Sequence, residues 1–98
     1  MEWLHNWGGG SFGYKDGDNL YAPDGRNVGK FVDEEIFGPK GHYLGEIINS
    51  RLITNINKKN KRGNQFTPSI SQVEHVNHIN FAAIVMLAGY EDFPRLEE

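Results

Sequence analysis

Lys58, Lys59, Lys61 and Arg62 hold four of the chain's ten basic residues within five positions. Such a run suits phosphate, on a nucleic acid or on an anionic lipid head group, because it gathers positive charge and N–H donors. It equally suits a solvated hairpin tip that keeps a protein soluble. The chain as a whole is acidic, with net charge −3, unlike a dedicated nucleic-acid domain. Nucleic acid is therefore the weaker expectation among anionic partners.

The four histidines are the other chemical candidates. His75 and His78, with Glu74 adjacent, form His-x-x-His. On a helix these two would share a face and could bind zinc. On a strand they point to opposite faces. The segment reads as a strand, so no metal site is expected. His5, His42, His75 and His78 include groups suited to general acid or base work, and cations nearby would favour RNA cleavage. Nothing in the spacing brings two of them together. The chain has no Gly-x-Ser-x-Gly, no cysteine nucleophile, no P-loop and no carboxylate metal cluster. A binding module without a cofactor is the first expectation. The alternatives are a small histidine-dependent hydrolase or nuclease, and a structural oligomeric protein.

The elements that must position these residues are legible as a repeat. Residues 19–34 lie over 35–50 at a constant offset of 16. Pro23-Asp24-Gly25 recurs as Pro39-Lys40-Gly41, and Val28-Gly29 recurs as Leu44-Gly45. A repeat sets architecture before any motif does. Each unit reads as a short strand, a turn and a returning strand. In the turn, Pro presets φ and Gly accepts φ > 0. Gly29 and Gly45 fall inside the returning strands, where a glycine marks a bulge or a close backbone approach. A third unit begins at Arg51-Leu52-Ile53-Thr54-Asn55, with Leu52-Ile53 in place of Ile36-Phe37. Residues 1–14 gather Trp3, Trp7, Phe12 and Tyr14 around Gly8-Gly9-Gly10, which suggests another hairpin.

Residues 57–64 form a polar, basic loop. Residues 73–90 carry the apolar run from Phe81 to Ala88. Eight apolar residues suit a buried strand or a core helix, and the all-β context favours the strand. Four or five hairpins around an axis bury what one hairpin cannot, and closure removes exposed edges. The prediction is an all-β protein. It is a single domain over residues 1–93, followed by a loose acidic tail, 94–98.

At this level the chain resembles the bacterial 4-fold beta flower proteins. Trp3-Leu4-His5-Asn6-Trp7, Phe12-Gly13-Tyr14, the paired Val/Leu-Gly units, Arg51-Leu52-Ile53-Thr54-Asn55 and Ala88-Gly89-Tyr90-Glu91-Asp92-Phe93 carry the likeness, in order, along nearly the whole chain. The resemblance implies a shallow pseudo-fourfold barrel of β-hairpin repeats. That fold is similar in outline to tubby C-terminal-like barrels, some of which bind lipids. It implies no catalytic residue.

The candidate binding residues are Arg26, His42, Lys58, Lys59, Lys61 and Arg62. Arg26 and His42 occupy the same repeat position, just after the turn glycine, which predicts that they converge near one rim. The expected partners are an anionic small molecule, a lipid head group or a protein, with an oligomer as a further outcome. Most aromatics are expected in the core, because a chain of 98 residues has few large side chains to spare. With no cysteine, no disulfide or thiolate metal site can form. The N-terminus has no basic segment followed by an apolar one, and no stretch is long enough to span a membrane. A cytoplasmic protein is expected.

Overall fold

The computed structural model describes residues 2–68 and 82–94. Eight strands form one sheet: β1 Glu2–Asn6, β2 Ser11–Asp16, β3 Asn19–Tyr21, β4 Asn27–Val32, β5 Glu35–Phe37, β6 Tyr43–Ile48, β7 Arg51–Asn55 and β8 Tyr90–Asp92. Each pairs antiparallel with the next in chain order. A parallel pairing of β1 with β7, His5 to Arg51 and Asn6 to Leu52, closes seven of them into a barrel. β8 takes the remainder of the same β7 edge, pairing Ile53 with Asp92 and Asn55 with Tyr90. The fold is thus all-β and closed. Among the described residues there is no α-helix, only the 3₁₀ turn Ile56–Lys58.

Four hairpin petals follow from this order: β1–β2, β3–β4, β5–β6 and β7–β8. Two-residue turns at 17–18, 33–34 and 49–50 link successive petals. Asn49 and Ser50 both have positive φ, at 51° and 64°, the conformation that matches the twist of a tight hairpin. At the other end, the petal tips turn through Gly25 (φ 93°) and Gly41 (φ 89°). These are the turn glycines of the repeat, in the region that side chains with a Cβ disfavour.

The sixteen-residue period extends further back than the paired turns reveal. Leu4, Leu20, Ile36 and Leu52 are spaced by 16, and all four are fully buried. One comes from each petal, and together with Phe31 and Phe93 they form the core. Opposite the first three sit Gly13, Gly29 and Gly45, each followed by a register slip. The slip inserts one extra residue, which is Phe12, Val28 or Leu44. A bulge of this kind turns the extra side chain and bends the strand. All three extra residues are apolar, half-buried and packed on the core. They ring the petal end of the barrel.

The fourth petal breaks the pattern. Its returning strand is β8, reached only after residues 56–89. Phe93, 5% exposed, follows β8 and inserts its ring into the core. It meets Phe12 edge-on, with ring centroids 5.2 Å apart.

The expected strand is corrected over residues 82–87, which are irregular; among the described residues of this segment only Tyr90–Asp92 form a strand. Its earlier part, residues 73–81, lies outside the described residues. The β7 edge beyond β1 is three residues long, Ile53 to Asn55, and β8 fills it. Residues 82–87 instead lie along the first petal, where Val85 O accepts from the Trp7 indole N–H at 3.0 Å. Ala82 O accepts from Arg51 at 2.6 Å. Val85 is 89% exposed, and Ile84 and Leu87 are exposed as well. Residues 75 and 78, with the His-x-x-His motif, and residues 95–98 of the expected tail lie outside the described residues.

Candidate binding rim

Petal tips and returning strands converge at one end of the barrel, and the candidate residues sort there into two groups. The first group is consumed by the fold. Lys58 Nζ lies 2.8 Å from Glu35 Oε2 and 3.0 Å from Glu46 Oε2. Lys61 Nζ lies 2.7 Å from Glu35 Oε1. Lys59 Nζ lies 2.6 Å from Glu91. Three of the four cations of the basic run are therefore neutralised by carboxylates on β5, β6 and β8.

These pairs belong to a clasp. After the 3₁₀ turn the chain folds back over the third petal's tip. Tyr43 N donates to Lys61 O at 3.2 Å, Gly63 N to Gly41 O at 2.7 Å, and Phe66 N to Pro39 O at 3.0 Å. His42 and Arg62 face each other as an isolated antiparallel bridge. Gly41 permits this approach, since a Cβ there would stand 2.5 Å from Gly63 O. Beneath the clasp, Tyr43 donates to Glu46 Oε2 at 2.8 Å and accepts from Asn55 N at 3.1 Å.

Charges in the clasp shift as this geometry requires. Hydrogen bonds from Lys58 and then Lys61 hold the Glu35 carboxyl below its ordinary value of 4.5. Hydrogen bonds to Glu35 and Glu46 push the Lys58 ammonium up. Burial is the main cause that raises the Tyr43 phenol, and the Glu46 carboxylate raises it further. The fourth residue of the run, Arg62, donates to backbone carbonyls: Lys61 O at 3.1 Å and Lys59 O at 3.5 Å.

Arg26 and His42 do hold equivalent positions at neighbouring tips. Arg26 is turned onto its own loop, with Nε 2.8 Å from Asp24 Oδ2. That bond lowers the Asp24 carboxyl below its ordinary value. His42 is exposed and lines a shallow cleft between the second and third petals. The cleft holds about 230 Å³ and is walled by Val28, Gly38, Pro39, Lys40, His42 and Leu44. Its floor is aliphatic. Lys40, at its edge, is exposed, and among the described residues no carboxylate is within ion-pair distance of it.

Further clefts flank the rim among the described residues. One, of about 260 Å³, separates petals three and four and is crossed by the Lys59–Glu91 pair. Another, of about 310 Å³, lies beside the Gly8–Gly10 turn, Asp92 and Phe93. Among the described residues, no three histidine, aspartate or glutamate side chains gather to hold a metal, and no helix is long and apolar enough to cross a membrane.

Sequence reasoning missed Val28, Lys40 and Leu44 as rim residues. A signal existed in the 16-residue spacing of Phe12, Val28 and Leu44, each directly before a glycine. That spacing marks bulge positions, which side-chain alternation alone conceals.

Together these features define the class: a closed β-hairpin barrel with inter-petal clefts at its rim. Comparison with protein-family models, curated proteins and solved structures returned no match.

Proposed function

We propose that the protein is a non-enzymatic binding module that receives a small anionic group at the rim between the second and third petals. The observation that carries this reading is the cleft over Val28 and Leu44, with Lys40 and His42 at its edge. An apolar floor with a few polar groups at the margin is the usual character of a ligand site. Its volume falls below the range of about 300–1,000 Å³ typical of drug-sized ligands, so the matching group is small. Lys58, Lys59 and Lys61 act as structural cations in this reading, while Lys40 and His42 meet the ligand.

Amide chemical-shift mapping tests it. Titration with sodium octanoate, and separately with phosphate, is expected to move the signals of Val28, Gly38, Lys40 and Leu44. The Lys58–Lys61 signals stay in place. Shifts centred on residues 58–62 would reverse the assignment, and no shift with either anion would end the reading.

A self-associating structural protein is the second reading. It is favoured by the exposure of Ile84, Val85 and Leu87 on one irregular segment, since exposed apolar patches tend to be covered. Light scattering on the parent and on Val85→Asp tests it, with a dimer lost in the variant as the supporting result.

A further inference from the structure

We propose that the group received at this rim is an acidic peptide segment of a protein partner, anchored by one aliphatic side chain. The inference rests on the rim-binding reading and specifies its ligand. Three features point to a peptide.

The first is size and shape. The cleft of about 230 Å³ is shallow and open to solvent between two hairpin tips. It admits one leucine-sized side chain without enclosing a whole molecule. Val28, Pro39 and Leu44 supply the aliphatic contact. All three are half-buried, so a partner side chain would complete their removal from water.

The second is the spread of charge. Lys40 and His42 flank the cleft, and the His42–Arg62 bridge brings the Arg62 backbone alongside. Lys30, also exposed, stands over the Phe66 ring at 5.8 Å in the neighbouring clasp. The two lysines sit on separate elements, Lys30 on β4 and Lys40 at the third petal's tip. Lysines on separate elements can each meet a carboxylate of one extended chain.

The third is a fixed frame. The turn carrying Lys40 is closed by Gly38 N to His42 O at 2.8 Å and Gly41 N to Gly38 O at 2.9 Å. The clasp holds it from the other side through Gly63 N. A site held in place before binding loses less entropy on association.

The test is fluorescence anisotropy on the intact protein at low salt. The probe is a fluorescein-labelled peptide, Glu-Asp-Leu-Asp-Glu, with acetylated and amidated ends. The expected result is saturable binding. Replacing the peptide leucine by serine weakens it, as does the double variant Lys40→Ala/His42→Ala, each by about tenfold (about 1.4 kcal/mol). Raising salt weakens it further by screening the charges. An unchanged thermal midpoint in the double variant shows that folding is intact.

Equal binding of the leucine and serine peptides would overturn the anchor, and equal binding by the variant would overturn the site. Octanoate binding at the rim without peptide binding would overturn the peptide and leave the rim reading standing. Sedimentation with phosphatidylserine vesicles in the absence of peptide binding would do the same in favour of a lipid. Binding of none of these would end both readings.

Discussion

Gly45 lies directly against the ring of Phe93. A Cβ built on Gly45 would stand 2.6 Å from Cδ1 and 2.8 Å from Cε1 of that ring, and would also meet the carbonyl oxygen of Ile53. The strand glycine of the third petal thus leaves the volume into which Phe93 inserts. The petal repeat and the irregular fourth petal are joined at this point.

Substituting either partner is therefore costly, in different ways. Gly45→Ala forces a methyl group onto a backbone carbonyl, and overpacking of this kind costs about 1–3 kcal/mol or more. Phe93→Ala leaves a cavity among Leu4, Leu20, Ile36 and Leu52 and costs about 3–5 kcal/mol. Urea unfolding of both variants measures the two losses. Equality of Gly45→Ala with the parent would contradict the close approach.

The basic run should behave as structure. The clasp geometry predicts that Lys58→Ser/Lys61→Ser lowers the urea midpoint and speeds amide exchange at Gly41, Tyr43 and Gly63. Glu35→Gln should do the same, because it removes the charge that both lysines share. If the lysines were only a solvated tip, neither change would alter exchange at the clasp.

Acid should loosen the clasp before the barrel. The Glu35 carboxyl is depressed in the folded state by its bonds to Lys58 and Lys61. A depressed carboxyl contributes stability that is fully present above its unfolded value of 4.5 and is lost as pH falls through the lower folded value. Hydrogen exchange between pH 6 and 3, corrected for intrinsic rates, is expected to show protection lost first at residues 61–66. Glu35→Gln should flatten that dependence.

Tyr43 should resist ionisation. Burial and the Glu46 carboxylate raise its phenol above the ordinary value of 10.0. A group with a raised folded value contributes stability below its unfolded value, and that contribution is lost as pH rises. Spectrophotometric titration at 295 nm, taken as the difference between the parent and Tyr43→Phe, should therefore show the Tyr43 phenol ionising at higher pH in the folded protein than in urea.

Relieving a left-handed residue should stabilise the protein. Asp33 sits in a tight turn at φ 57°, a conformation that costs a residue with a Cβ about 1–2 kcal/mol. Asp33→Gly removes that strain against an entropic loss of about 0.5–1 kcal/mol. A thermal midpoint raised by a few degrees is the expected result, and a lowered one would mean that the aspartate side chain contributes to the turn.

Fold was legible where the residues carry backbone instructions. Pro23-Asp24-Gly25 and Pro39-Lys40-Gly41 specify turns, and the glycines adopt the expected positive φ. The first petal was harder to read, because Trp3, Trp7 and Tyr14 obscure a Leu4-to-Gly13 interval identical to Leu20-to-Gly29 and Ile36-to-Gly45. The fourth petal was misread. The run from 82 to 88 is apolar enough for a core strand, yet β7 offers only residues 53–55 for pairing beyond β1. Apolar composition cannot report how much sheet edge remains open.

The sequence by itself determined the repeat, the turns, the strand glycines and the all-β class, because these depend on local φ preferences and on spacing along one chain. Only the tertiary structure decided what the charges do. Lys58 and Lys61 stand 23 and 26 residues from Glu35, and closing that distance takes a complete third petal with the clasp folded over it. The same closure sets Lys40 and His42 beside Val28 at the tip of a neighbouring petal. A cation's role depends on which carboxylate arrives beside it, and barrel closure decides that.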